Sequence, residues 1–415
     1  MRLALLFLLL SGWIEARSPA RMALSPAQRL KTDDQIALWQ GRVQREPRNP
    51  QHRLALAKSY IQKVRESADF SYLDRASQLV ERIVSEGNAA YEAMRLRSEI
   101  ELERHNFLAV AEYSEELTRI EPRDPWNWGT LGDARMELGQ YDGARDAYAR
   151  MVTLRPDLSS FNRMAYYLFV TGKPEQAFDA MRKAIAAGSP APENVAWCLA
   201  DLGNMYFKTG KLDAAEEAYR NALDRFPGYY PAYAGLGRAA AARGNDPQAI
   251  TYFKKAYATL PLPEYAAALY CLHQRGGHPE EARKYLALID VVDQMARANG
   301  ETTDRSLALI YANLNRKLDR ARQLVEAELA VRPDVYSQDA LAWVLYRQGE
   351  YGAAAEASRK ALSRSTPEPA FFFHAARIAT ALARKEEARQ HWVKLESLNP
   401  GFDILLAGEG LEHRR

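Results

Sequence analysis

The sequence predicts an all-α fold of stacked helical hairpins, on the strength of three residue types that recur in phase. A small residue returns at Ala76, Val110, Ala144, Ala177, Ala215, Ala249, Ala282, Ala321, Ala354 and Ala388, in steps of 33 to 39 residues. A glycine stands five residues before six of these positions, at Gly139, Gly172, Gly210, Gly244, Gly277 and Gly349. A proline stands twelve residues after six of them, at Pro122, Pro156, Pro227, Pro261, Pro333 and Pro400. The chain has 415 residues, 47% apolar and 26% charged, which is ample for a buried core. An internal period of this length points to stacked units rather than to separate globular domains.

One unit shows the physics. Leu199, Leu202, Gly203 and Tyr206 recur at helical spacing and form an apolar stripe. Gly210 falls where a helix ends in a left-handed cap. Asp213 then opens a second helix, with Ala215, Tyr219 and Ala222 on one face, and Pro227 stops it. Gly203 and Ala215 let the two helices approach closely. A lone hairpin cannot bury its stripe, so neighbours must stack. The acids Asp142, Glu175, Asp213, Glu280, Asp319 and Glu386 all lie two residues before the repeat position. There they complement the dipole of a second helix, and that accounts for them without acid–base chemistry.

These residues carry a resemblance. Trp128-x2-Leu131-Gly132 with Ala144-x3-Tyr148 and Pro156 resembles the tetratricopeptide pattern. So do Leu202-Gly203-x2-Tyr206 with Ala215-x3-Tyr219 and Pro227, and Leu236-Gly237 with Ala249-x3-Phe253 and Pro261. The resemblance implies a right-handed superhelical solenoid of about ten helix-turn-helix repeats with capping helices at each end. The expected organisation is 1–20, a signal peptide and the start of the mature chain; 21–49, an N-terminal capping helix; 50–400, the solenoid; and 401–415, a tail or short capping helix. Phe402, Ile404 and Leu405 are the tail residues suited to docking.

The first residues, MRLALLFLLLSGWIEARSPA, read as a secretory signal: one positive residue, a short apolar run, then small residues. A periplasmic or secreted location follows as an expectation. The absence of Asn-X-Ser/Thr sequons favours a bacterial source. No later run is long enough to span a bilayer. A net charge of +3, evenly spread, does not call for nucleic acid. The two cysteines, Cys198 and Cys271, fit no metal spacing and lie two repeats apart, beyond disulfide reach. His273 and His278 flank a Gly-Gly turn without an evident third metal ligand. We find no nucleophile elbow, phosphate loop, dinucleotide fingerprint or zinc-protease motif, and the repeats leave no stretch for a catalytic domain. Hence no enzyme, cofactor or metal is expected.

What remains is surface. Counting the repeat alanine as position 20, the hairpin stripe of each first helix uses positions 4, 7, 8 and 11. A second stripe lies at 2, 5, 9 and 12, about 100° around the helix. In the tetratricopeptide family this second stripe and position 13 line the concave groove that holds partners. Here it reads Trp126, Tyr166, Phe169, Trp197, Asn204, Phe207, Lys208, Arg238, Trp343, Tyr346, Arg347, Phe373 and Arg377. Aromatic and arginine side chains are the usual anchors of interfaces. For any one ring, burial between neighbouring first helices competes with exposure in the groove. Ala200 and Ala234 stand where a lysine clamp for a peptide terminus would be needed, so that ligand is not expected. The expectation is a non-catalytic scaffold or adaptor of the cell envelope with a protein or peptide partner, self-association remaining open. A structural subunit of an envelope export or assembly complex is the alternative, and an enzyme of unknown type a third reading.

If the leader is cut, Edman sequencing of the native protein will start near Arg17 or Arg21. A start at Met1 in a cytoplasmic fraction would remove both the location and the envelope role.

Overall fold

A computed structural model describes residues 32–67, 71–87, 90–189, 192–298 and 303–405. The expected leader lies outside the described residues. Within them the chain forms 21 α-helices, one short 3-10 turn at Leu362–Arg364 and no strand. It is a helical repeat solenoid. Its contacts divide it into two units, one ending at Arg155 and one beginning at Pro156.

The first unit opens with α1 (Thr32–Arg45), which packs on α2 (Pro50–Ser67). Three hairpins follow: α2 with α3 (Ser71–Ser85), α4 (Ala90–Glu103) with α5 (Phe107–Ile120), and α6 (Pro125–Glu137) with α7 (Tyr141–Leu154). Ile36 from α1 joins Leu54, Ala57 and Ile61 of α2, Val80 and Ile83 of α3, and Leu96 and Ile100 of α4 in one core.

The second unit has seven hairpins. They pair α8 (Leu158–Val170) with α9 (Pro174–Ala187), α10 (Pro192–Lys208) with α11 (Leu212–Arg225), and α12 (Tyr230–Ala242) with α13 (Asp246–Thr259). Next come α14 (Pro263–Arg275) with α15 (Pro279–Ala298), and α16 (Arg305–Asn313) with α17 (Leu318–Val331). The last two pair α18 (Val335–Arg347) with α19 (Tyr351–Ala361), and α20 (Pro369–Ala381) with α21 (Lys385–Leu398).

The phased residues do what their positions require. Every repeat alanine, and Val110, is buried in a helix–helix contact, and only Ala388 retains any measurable exposure. The six glycines before them all adopt positive φ, between 68° and 83°. Where glycine is missing, the same left-handed turn is made by His105 (φ 58°) and Ala383 (φ 57°). The closest approaches occur at the glycines of the first helices. A Cβ on Gly203 would lie 2.6 Å from the Tyr219 ring, and one on Gly237 would lie 2.8 Å from Phe253. Tyr219 is pressed from the other side by Gly235 of the next repeat.

The second unit also returns on itself. Thr366, between α19 and α20, is buried, and its hydroxyl donates to the carbonyl of Val170 at the end of α8, 2.6 Å away. Asn399, just after α21, donates through Nδ2 to the carbonyl of Phe207 in α10 at 2.8 Å. Lys208 reaches Glu368 at 2.6 Å. The repeats of this unit are therefore coupled to others 192 and 196 residues away as well as to their neighbours.

Gly203→Ala will overpack the Tyr219 contact and lower stability by about 1–3 kcal/mol in urea titration. Gly352→Ala is the control: it sits in α19 with open space around it and will be neutral or stabilising by up to about 1 kcal/mol. Equal effects at the two sites would sink the account of ring on glycine.

Candidate protein-binding face

The first helices of the second unit present positions 2, 5, 9, 12 and 13 together, and their polar members are knitted to one another. At position 9 of α10, Asn204 Oδ1 accepts from the Tyr219 hydroxyl at 2.9 Å and from Arg238 Nη2 at 2.7 Å. Arg238 also lies 5.9 Å from the centre of the Phe207 ring. Lys208 Nζ pairs with Glu368 and stands 5.9 Å from the Phe169 ring and 5.6 Å from the Tyr336 ring. Beside them sits Asp201, whose carboxyl is pushed up to about 6 by desolvation, against the opposing pull of Lys208 and Asn204.

The ninth and tenth hairpins build a second cluster. Trp343 stacks on Tyr346 at 4.9 Å and on His374 at 4.2 Å, with Phe373 edge-on at 5.7 Å. Arg347 covers the Trp343 ring at 4.6 Å, and Arg377 Nε donates to the Tyr346 hydroxyl at 3.2 Å. His374 Nδ1 meets the Asp339 carboxylate at 2.9 Å. Trp343, Tyr346, Arg347, Phe373 and Arg377, all read from sequence as groove positions, do lie together, but two of the rings are not exposed. Trp343 is fully buried, and its indole N–H donates to Asn313 Oδ1 at 2.7 Å. Phe373 is buried too. Both are packing residues, because adjacent first helices close over them.

The same correction holds for Phe169 and Phe207, buried in the core shared by α8–α12, and for Trp126 in the first unit, buried under Arg95 with the guanidinium 4.6 Å from its ring. Tyr166, Trp197, Asn204, Lys208, Arg238, Tyr346, Arg347 and Arg377 are half-buried. Trp126, Phe169, Phe207, Trp343 and Phe373 fill the spaces between helices, whereas the cationic side chains are only half-buried.

The face is occupied. Residues 399–405 leave α21 without forming a helix and cross the first helices. Gly401 lies against Ala242 at the end of α12. Phe402 packs between the two large cores of this unit, 5.8 Å from Phe373. Asp403 Oδ2 accepts from Asn313 Nδ2 at 3.3 Å. Ile404 and Leu405 join the apolar cluster of α12–α14. The hosts Ala242, Asn313 and Phe373 occupy positions 13, 12 and 5 of their repeats, members of the stripe singled out from sequence. Asn313 could have been found by reading that stripe through the eighth repeat; the docking of the tail on it had no signal beyond the apolarity of Phe402, Ile404 and Leu405.

Both cysteines are free thiols. Burial raises each, and in Cys271, pushed up to about 12, the Asp403 carboxylate adds to the effect. His273 and His278 approach with ring centres 6.1 Å apart, and no group of three metal-ligating side chains occurs among the described residues. No helix among them is long and apolar enough to cross a membrane.

Residues 200–262 and 305–369 match one tetratricopeptide-repeat family model, 156–228 a second and 130–157 a third. Residues 130–262 and 305–369 thus carry tetratricopeptide repeats. Among curated proteins, protein bimA of Emericella nidulans is 24% identical over 195 residues, which are 47% of this chain and 23% of that protein. The chain thus spans less than a quarter of that relative's length. Among solved structures, PilW, described as a widely conserved type IV pilus biogenesis factor, is 17% identical with a TM-score of 0.44, over 49% of this chain and 94% of PilW. MamA is 24% identical with a TM-score of 0.33, over 39% of this chain and 92% of MamA. A MamA fragment from Desulfovibrio magneticus RS-1 is 24% identical with a TM-score of 0.34, over 40% of this chain and 93% of the fragment.

Asp201 sets a pH dependence for the second unit. Its carboxyl titrates higher in the folded chain than in the unfolded one, so folding favours the protonated form. The stability it supplies is full below about pH 4 and is lost as pH rises through about 6. Asp201→Asn will therefore raise stability at pH 8 by about 2 kcal/mol and change it little at pH 4, as read from denaturant unfolding at the two values. An equal effect at both would show that the carboxylate is not desolvated.

Proposed function

We propose that this chain is a non-catalytic scaffold of the cell envelope that holds a segment of another protein on the first-helix face of its second unit. One observation carries the reading. That face already holds an irregular peptide, residues 399–405, through apolar contacts and an asparagine–carboxylate hydrogen bond. Half-buried arginines, a lysine and aromatic rings, side-chain types that recognise peptides in helical grooves, lie on first helices of the same unit. The sequence sets aside no stretch outside the repeats for catalysis, and the leader-like first residues support the location.

A structural role in an export or assembly complex is the second reading. It draws on Leu288, Val291 and Met295, which form an exposed apolar stripe at helical spacing on the long α15.

The test is affinity capture from envelope extract with the native chain and with Arg347→Glu/Arg377→Glu. The double variant will lose the captured protein by roughly 2 kcal/mol, about 30-fold, while its circular dichroism stays that of the native chain. Capture undiminished by the double variant but abolished by Val291→Asp/Met295→Asp would move the function to α15 and the second reading.

A further inference from the structure

Resting on that reading of the face as a peptide-binding surface, we propose that it selects a segment bearing an aromatic ring, a carboxylate and two aliphatic side chains in succession. Residues 402–405, Phe-Asp-Ile-Leu, are a resident copy of that ligand, which an incoming protein segment must displace.

The side chains of the tail are seated in order along the face. The ring of Phe402 lies 5.8 Å from Phe373. Ile404 and Leu405 enter the apolar cluster of α12–α14. The carboxylate of Asp403 is the specifying element, and the buried Trp343 explains why. An indole N–H only donates, so its 2.7 Å bond to Asn313 requires the amide oxygen on that side. Asn313 Nδ2 is thereby turned toward Asp403, and this position on the face calls for an acceptor. The Asn313 backbone is held in turn by Arg347 Nη2, 3.2 Å from its carbonyl. A lysine or arginine side chain at this place in a ligand would meet a donor, and an apolar one would leave that donor unanswered.

The tail is bound as a ligand is bound. It forms no helix, and two of its amides donate to its own side chains: Gly401 to Asn399 Oδ1 at 3.0 Å and Leu405 to Asp403 Oδ1 at 2.7 Å. Phe402 and Leu405 remain half-buried. Recognition therefore rests on side chains in a fixed order, which a segment of similar order on another protein reproduces.

The probe is a fluorescent, C-terminally amidated hexapeptide Pro-Gly-Phe-Asp-Ile-Leu, titrated into the full chain. It will bind Phe402→Ser/Ile404→Ser at least tenfold more tightly than the native chain, because the resident copy is weakened. Placing Lys at the Asp position of the peptide, or Asn313→Asp in the chain, will each reduce that binding at least tenfold. A second measurement does not depend on a variant folding: excess hexapeptide added to the native chain will speed amide hydrogen exchange across 402–405. Equal affinity for the two chains, indifference to the carboxylate, or unchanged exchange overturns the proposal. So does a concentration-dependent dimer in which tails cross between copies, since the occupant would then be a second copy. If the hexapeptide fails while envelope capture still depends on Arg347 and Arg377, only this inference falls. If capture is insensitive to them as well, the proposed function falls with it.

Discussion

An aromatic ring laid on bare backbone sets the spacing of the helices, and the remaining features inherit it. Tyr219 touches Gly203 within its own hairpin and Gly235 in the next, so one side chain fixes two interhelical distances. The contact tolerates no extra methyl group, because the atoms it would meet belong to a fully buried ring rather than to a flexible chain end. The ring also delivers its hydroxyl to a set place. Tyr219 donates to Asn204, and Tyr148, seated on Gly132, donates to Asp133 at the same 2.9 Å. Both acceptors occupy position 9 of their repeats. The packing device of the hairpin thus orients a polar group on the first-helix face.

Stacked repeats ordinarily behave as a one-dimensional array in which each unit feels only its neighbours. The first unit fits that description, with a core running continuously from α1 to α4. The second does not. Hydrogen bonds from Thr366 to Val170 and from Asn399 to Phe207 tie its last hairpin to its first two, and both lie at sites where a side chain satisfies a carbonyl at a helix end. A perturbation in the tenth repeat is therefore felt directly in the fourth and fifth.

The fold was legible because its signals are backbone requirements. A left-handed turn calls for glycine, a close approach for glycine or alanine, and a helix stop for proline, and these left a period that could be read without a partner sequence. The binding face was legible only as positions. Whether a ring at position 5, 9 or 12 is exposed depends on the curvature between adjacent first helices, which no local pattern encodes. Trp343 and Phe373 went inside for that reason, while Arg347 and Arg377, carrying charges that resist burial, stayed half-buried. The seat of the tail depends on contacts across some 90 to 190 residues, as between Asn313 and Asp403 or Phe207 and Asn399, and such pairings leave no periodic trace.

Those long pairings also bear on how the protein is made. Helices α8 to α19 leave the ribosome well before Asn399 does, and each hairpin can form as it emerges because its contacts are local. The surface destined to receive Phe402, Ile404 and Leu405 then stands open to water until those residues are synthesised. During that interval the nascent chain displays an apolar strip without its cover, and covering it is a loop closure over most of the second unit rather than the addition of one more repeat. Synthesis of residues 399–405 thus sets when the strip ceases to be sticky.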